Sequence, residues 1–255
     1  MDPAAVVGIA LAFGAVFGSM IMEGGSPMAL FLPAPLVLVF LGTIGAGMAG
    51  GMLKDSISVV GTLKKAFLSK AQDSRATIET IVGLADRARR EGLLSLEDAA
   101  KGIDDDFLRD GLQTAIDGAD PEELRDILEG QIAAKRAADK QGAKFFSDMG
   151  GYAPTIGIIG TVIGLVHVLE NLSKPDELGH LIAGAFVATL WGVMSANVMW
   201  LPLASRLKRT SELECQQMEL VVEGILAIQS GTNPRVVQQR LDSLLPPGSA
   251  QKEAA

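Results

Sequence analysis

Residues 153–169 read APTIGIIGTVIGLVHVL. The stretch is apolar enough for a lipid bilayer, yet it carries a proline, three glycines and two threonines. It lies in a window, 149–169, without Asp, Glu, Lys or Arg, and three more such windows cover 3–22, 24–53 and 178–205. At about 1.5 Å rise per residue, roughly 20 residues cross a hydrocarbon core about 30 Å thick. The pattern predicts an all-α protein with four transmembrane helices and a large helical loop between the second and third. A cleaved signal peptide fits the first window poorly, because Met1-Asp2 gives no basic leader and three further spans follow.

Orientation follows from the basic residues. Fifteen of the 22 Lys and Arg lie in 54–148, six lie from Arg206 onward, and only Lys174 lies in a short hairpin loop. The positive-inside rule places both termini and the large loop in the cytoplasm, with the turns at 23–28 and 172–177 outside. The expected organisation is a first membrane hairpin (1–53), a cytoplasmic helical domain (54–148), a second membrane hairpin (149–205) and cytoplasmic C-terminal helices with a tail (206–255).

Several function classes lack residues. The loop holds 19 acidic against 15 basic groups and the chain's net charge is −8, which argues against nucleic-acid binding. Cys215 is the single cysteine, and His167 and His180 are the only histidines, so no cluster has the spacing of a resident metal site. His167, near the outer end of its span, reads as an interfacial or packing residue. There is no phosphate-cradling Gly-Lys-Ser loop, nucleophile elbow or His-Glu-x-x-His run, and an enzyme is not expected.

Small residues recur four apart in every span: Gly14 and Gly18, Gly47 and Gly51, Gly160 and Gly164, then Gly184, Ala188 and Gly192. Such spacing lets helix backbones approach closely in lipid, and assembly into an oligomer is its natural use. In the quoted helix, Pro154, Gly157, Thr161 and Gly164 fall on one stripe of a 3.6-residue helix. Thr161 and Thr189 lie near the middle of the third and fourth windows, so their hydroxyls share one depth and can meet across a helix pair. A proline frees a carbonyl four residues back, and carbonyls with hydroxyls make an oxygen cage suited to a hard monovalent cation. The alternative is that each threonine only bonds its own i−4 carbonyl. No carboxylate lies in the core of any window, where a charge costs about 2.5–3.5 kcal/mol on insertion scales. If ions cross here, a second polypeptide must bring the binding carboxylate.

In the loop, the segment after Ser74 reads as a helix stopping at Glu91-Gly92, followed by a capping box at Ser95–Asp98. Asp120-Pro121 starts a helix through Leu124, Ile127, Leu128 and Ile132 toward a break at Gly150-Gly151, feeding the third span. The tail from Arg206 reads as a helix, then Asn233-Pro234, a second short helix and a disordered end at Pro246-Pro247. Arg89-Arg90 and Glu97-Asp98 bracket a helix-turn-helix corner, which is either a solvated charged corner or an electrostatic docking site for a protein of complementary pattern.

These stretches carry a resemblance. EGGSP (23–27) with ALFLPAPLVLVFLGTIGA (29–46), RREGLLSLE (89–97), APTIGIIGTVIGLV (153–166) and AFVATLWGVMSANVMWLP (185–202) occur in order, and on them the chain resembles the MotA/PomA stator subunits of the bacterial flagellar motor over nearly its whole length. The resemblance implies a multi-pass inner-membrane protein. Five copies would surround two copies of a MotB/PomB-like subunit that grips peptidoglycan and supplies the essential aspartate. Arg89, Arg90, Glu97 and Asp98 would meet the rotor protein FliG, Pro154 and Pro202 would couple ion passage to conformational change, and Thr189 would be the ring threonine beside the aspartate. Thr161 is similar to sodium-driven members, proton-driven ones commonly having Ala; Ala188 departs from the sodium-type pattern. Sodium, bound transiently at Thr161 and Thr189, is the expected cation and the proton the alternative, with no cofactor. An ExbB/TolQ-like energy transducer is the runner-up, but it typically has three spans and fits the EGGSP hairpin poorly.

Overall fold

The computed structural model describes residues 4–52, 61 and 73–245. Most of the opening part of the expected cytoplasmic loop, and the Pro246-Pro247 end, lie outside the described residues. All regular elements among the described residues are helical. They are α1 (Ala4–Met22), α2 (Pro33–Ala49), α3 (Ser74–Glu91), α4 (Glu97–Ala100), α5 (Asp106–Ile116), α6 (Pro121–Glu170), α7 (Pro175–Ser195), α8 (Leu201–Gln229) and α9 (Pro234–Asp242). Two 3-10 turns (Pro27–Leu30 and Leu93–Leu96) and a π-helical turn (Ala196–Trp200) complete the set. Three helical runs are long and apolar enough to cross a membrane: Ala4–Met22, Pro121–Glu170 and the continuous Pro175–Gln229.

The second span is shorter than its apolar window. Gly24, at φ 82°, turns the chain, and Pro27 and Pro33 each start a new helical segment, leaving α2 with 17 residues. That is the lower end of a spanning length. The break expected at Gly150-Gly151 does not occur, since α6 runs unbroken for 50 residues and also carries Pro154 inside it. Gly150 serves packing instead: a Cβ there would lie 2.5 Å from Leu201 Cδ2. Nor does Ser95 cap α4. Its hydroxyl donates back to the Gly92 carbonyl at 2.7 Å within the 3-10 turn, and Leu96 occupies the cap position without a side-chain bond.

The chain divides into two compact units, one within Met1–Lys70 and Asp139–Thr210, the other within Ala71–Ala138 and Ser211–Ala255. In the first, Trp191 of α7 is the anchor. Its indole N–H donates to the Leu30 carbonyl at 2.7 Å, and its ring meets Phe13, Phe31 and Phe40 at centroid distances of 6.4, 5.7 and 5.7 Å. A buried indole needs an acceptor, and the turn before α2 provides one. Thus the α1–α2 hairpin is held against α7.

The second unit is a helical bundle around Ile81, Leu96, Leu108, Leu112, Leu124, Val221 and Ile225. Leu124, Leu128 and Ile132 of α6 are buried as the periodicity requires, whereas Ile127 is exposed. Gln217, almost fully buried, accepts from Ser74 at 2.6 Å and donates to Thr77 at 2.7 Å, tying the start of α3 to α8. The Arg125–Glu223 and Arg136–Glu219 pairs, 2.9 and 2.7 Å, link α6 to α8.

Helix starts in this bundle are set by aspartates. Asp105 accepts from the amides of Phe107 and Leu108 at 2.9 and 3.2 Å, and Asp120 does the same for Glu122 at 2.9 Å. Asp105→Ala should therefore lower the unfolding free energy by about 1 kcal/mol, with Asp105→Asn close to the parent. Chemical denaturation of the purified protein in detergent, followed by circular dichroism, checks this.

Candidate functional site

The site begins with a backbone contact. In α6, Ala153, Gly157, Gly160 and Gly164 recur at helical spacing; in α7, Ala185, Ala188 and Gly192 do the same, and the two stripes face each other. A Cβ added to Gly157 would lie 2.8 Å from the Ala188 carbonyl oxygen, and one added to Gly192 would lie 2.6 Å from that of Ala153. Cβ atoms at Gly160 and Gly164 would each fall 2.6 Å from an alanine Cβ, of Ala188 and Ala185. Only residues this small admit so close a crossing, and packing is what holds helices together in lipid. The other small pairs do not all behave this way. Gly14 and Gly18 of α1 have nothing within 4 Å, and Gly184 meets only Leu32 at 3.7 Å.

Because the backbones nearly touch, short side chains reach across. Thr161 of α6 and Thr189 of α7 are hydrogen-bonded to each other through their hydroxyls. The Thr161 hydroxyl also lies 2.9 Å from the Ala185 carbonyl oxygen and 3.3 Å from that of Gly157, and the Thr189 hydroxyl lies 3.3 Å from the same Gly157 oxygen. So the i−4 bond is the longer of Thr161's carbonyl contacts. Four oxygens gather here; the two carbonyls each take a helix amide and keep one lone pair, and the two hydroxyls each donate once and accept twice. The surplus of lone pairs suits a cation. Both threonines are half-buried and Gly157 is buried.

Of the residues read from sequence, the structure joins Thr161, Thr189 and Gly157 in one cluster. Pro154 lies one turn before Gly157, half-buried, and is no part of the hydrogen bonding. Pro202, exposed, lies two residues past the end of the π-helical turn Ala196–Trp200. A proline cannot donate to the carbonyl four residues back, and a wider turn just ahead of it is one way a helix accommodates that loss. Sequence reasoning missed the Ala185 carbonyl and the Ala153–Gly192 contact. A backbone acceptor has no residue-type signal, though the small-residue spacing marks the face on which it lies.

The charged corner lies in the second unit. Gly92, at φ 87°, ends α3, in a conformation that favours glycine. Arg90 pairs with Asp86, Arg87 with Glu91 at 3.1 Å, and Lys101 with Asp98 at 3.0 Å. The hydrogen bond and charge of Lys101 hold the Asp98 carboxyl below its ordinary pKa, and Asp98 raises that of Lys101. Arg89 and Glu97 are exposed and make no side-chain hydrogen bond or close ion pair among the described residues, although the charge of Glu97 also acts on Lys101. Of the four corner charges, these two are the ones outside the close ion pairs.

Two family models match the chain: the motility protein A N-terminal model over residues 6–92 and the MotA/TolQ/ExbB proton channel family over residues 99–220. Motility protein A of Bacillus subtilis (strain 168) is 40% identical over 250 residues, 96% of this chain and 92% of that protein. The chemotaxis protein PomA of Vibrio alginolyticus is 32% identical over 257 residues, 99% of each. Among solved structures, the flagellar MotAB stator complex from Bacillus subtilis matches with a TM-score of 0.91 at 38% identity, covering 98% of both chains. The C. jejuni MotAB structure matches with a TM-score of 0.93 at 27% identity, covering 97% of both.

The seam makes a steric prediction. Gly192→Val puts side-chain carbon against the Ala153 carbonyl, a backbone atom that cannot swing away, and should destabilise the protein by roughly 1–3 kcal/mol or more. Gly14→Ala, with open space around it, should have little effect. Thermal unfolding in detergent and the level of protein in membranes distinguish the two.

Proposed function

The chain belongs to the motility protein A family, and from that premise we propose that it is the ion-conducting stator subunit of a bacterial flagellar motor, driven by sodium. In this reading it resides in the inner membrane with both termini in the cytoplasm. Five copies form a ring around a MotB/PomB-like subunit anchored to peptidoglycan. The one observation that supports the ion-conducting reading is the cluster of four oxygens made by Thr161 Oγ1, Thr189 Oγ1 and the Gly157 and Ala185 carbonyls. It can replace part of a cation's hydration shell but adds no charge of its own.

The counter-charge is then the partner's aspartate. No acidic residue occurs in 149–169 or 178–205, so without the partner a cation in the cluster would be uncompensated in a medium of low dielectric. Binding an ion to the aspartate beside Thr161 and Thr189 neutralises it and lets the ring advance about the fixed partner. Each charge crossing supplies about 2.3 kcal/mol per 100 mV. Torque therefore accumulates over many ions, and Arg89, Arg90, Glu97 and Asp98 deliver it to FliG. Pro154 and Pro202 are the points at which ion occupancy bends the two helices.

The test is the swimming speed of a stator-deleted strain carrying this chain with its genomic neighbour, as sodium varies at fixed pH and osmolarity. Speed should rise and saturate with sodium, and Thr161→Ala should flatten that dependence while leaving the protein's membrane level unchanged. Speed that ignores sodium but collapses with a proton uncoupler would reassign the ion to the proton and reduce Thr161 to a packing residue.

A further inference from the structure

The corner between α3 and α4 holds an apolar side chain that its charges hide from a sequence reading. Leu94 is 74% exposed, while Leu96 two residues on is fully buried and Leu93 packs against the bundle core. This is not a loose loop. Gly92 turns the chain at φ 87°, and the Ser95 amide and hydroxyl both donate to the Gly92 carbonyl, at 3.2 and 2.7 Å. With Leu93 and Leu96 seated on either side, the turn holds Leu94 out into solvent. Arg89 and Arg90 come before it in the chain, Glu97 and Asp98 after it. Single exposed leucines are ordinary on protein surfaces. What sets this one apart is a fixed backbone and a flank of opposite charges in which Arg89 and Glu97 are exposed and make no side-chain hydrogen bond or close ion pair among the described residues, Glu97 feeling only the charge of Lys101.

We propose that Leu94 is the apolar anchor of the corner, seated on docking in a hydrophobic pocket of the rotor protein that has carboxylates on its Arg89 side and basic groups on its Glu97 side. This rests on the corner's rotor-facing role above and deepens it. A small buried anchor ringed by polar contacts that exclude water is the usual distribution of energy in a protein interface, while rim charges set encounter rate and orientation. The charge pattern also selects the class of partner. A phosphate surface, whether membrane or nucleic acid, would attract Arg89 but be repelled by Glu97 and Asp98 a turn away, whereas a protein can match both signs. An anchor held on a rigid turn loses little conformational freedom on docking, and a small contact can be made and released repeatedly.

The experiment counts fluorescently tagged stator complexes at motors in cells carrying the full chain with its partner. Membrane protein level and ion conduction, measured with the partner's channel unplugged, are recorded alongside. Leu94→Ala should lower motor occupancy roughly fivefold or more, with level and conduction unchanged, and Leu94→Met should restore most of it. If Leu94→Ala leaves occupancy and torque unchanged while Arg89→Glu or Glu97→Lys lowers them, docking is purely electrostatic and the anchor is refuted. If neither kind of substitution matters in cells that still swim on this chain, the corner is not the rotor contact, and the rotor-facing assignment fails together with the anchor.

Discussion

The contact between the α6 and α7 backbones at Gly157 and Gly192 is the constraint on which the site depends. A Cβ at either position would meet a carbonyl oxygen of the facing helix at 2.8 or 2.6 Å. Lipid gives no hydrophobic drive for helices to associate, so attraction must come from many close atomic contacts, and those require the absence of side chains along the seam. Threonine is short. Its hydroxyl crosses between helices only where the backbones are this near, so the Thr161–Thr189 bond and the shared Gly157 carbonyl follow from the glycines rather than from the threonines alone. A larger residue at the crossing would separate the hydroxyls before it altered anything chemical.

Trp191 adds the second condition. On α7 it lies one residue before Gly192, so the same stretch that packs on α6 through its glycine holds the α1–α2 hairpin through its indole. The aromatic cluster around it includes rings from α1, α2 and the turn between them. Substitution of Trp191 would thus disturb the hairpin and, by letting α7 shift, the hydroxyl geometry. The membrane part behaves as one packed object with the polar cluster at its seam.

Much of this was legible in the sequence. Charge-free windows marked the apolar helices, three of them in runs long enough to cross a membrane and the fourth, Pro33–Ala49, shorter, and the Gly157–Gly164 stripe marked the face that meets α7 because helix period fixes which residues align. Asp120-Pro121 and Asn233-Pro234 were read correctly as helix starts, since a capping side chain acts on its own neighbours. What escaped the sequence depends on tertiary contact. Gly150-Gly151 looked like a break, but Gly150 is where Leu201 packs, and a glycine that clears space for a neighbour has the same letter as one that ends a helix. Ser95 looked like a cap, but burial of Leu96 draws the chain into a 3-10 turn and points the hydroxyl back at Gly92. Gly14 and Gly18 matched the close-packing pattern as well as Gly160 and Gly164 did, and only the latter pair has a helix against it.

The same geometry restricts how an ion can be handled. Thr161 and Thr189 are half-buried while Gly157 is buried, so the two threonines keep part of their surface accessible. Next to Thr161 along α6, Ile158, Val162 and Leu165 are apolar side chains 44–55% exposed. If, as proposed, a partner's carboxylate enters here, it would leave water for this surface, and desolvation would raise its pKa unless a cation accompanied it. Hydroxyl and carbonyl oxygens lower the cost for a metal cation, which needs several oxygen ligands at once, more than for a proton, which needs one base. In the proposed reading, a neutral chain supplying oxygens and a partner supplying one negative charge would make a site that is electrically balanced only when a single monovalent cation is bound. Occupancy would thereby be tied to the electrostatic state of the interface, which is the coupling that a step driven by one ion at a time requires.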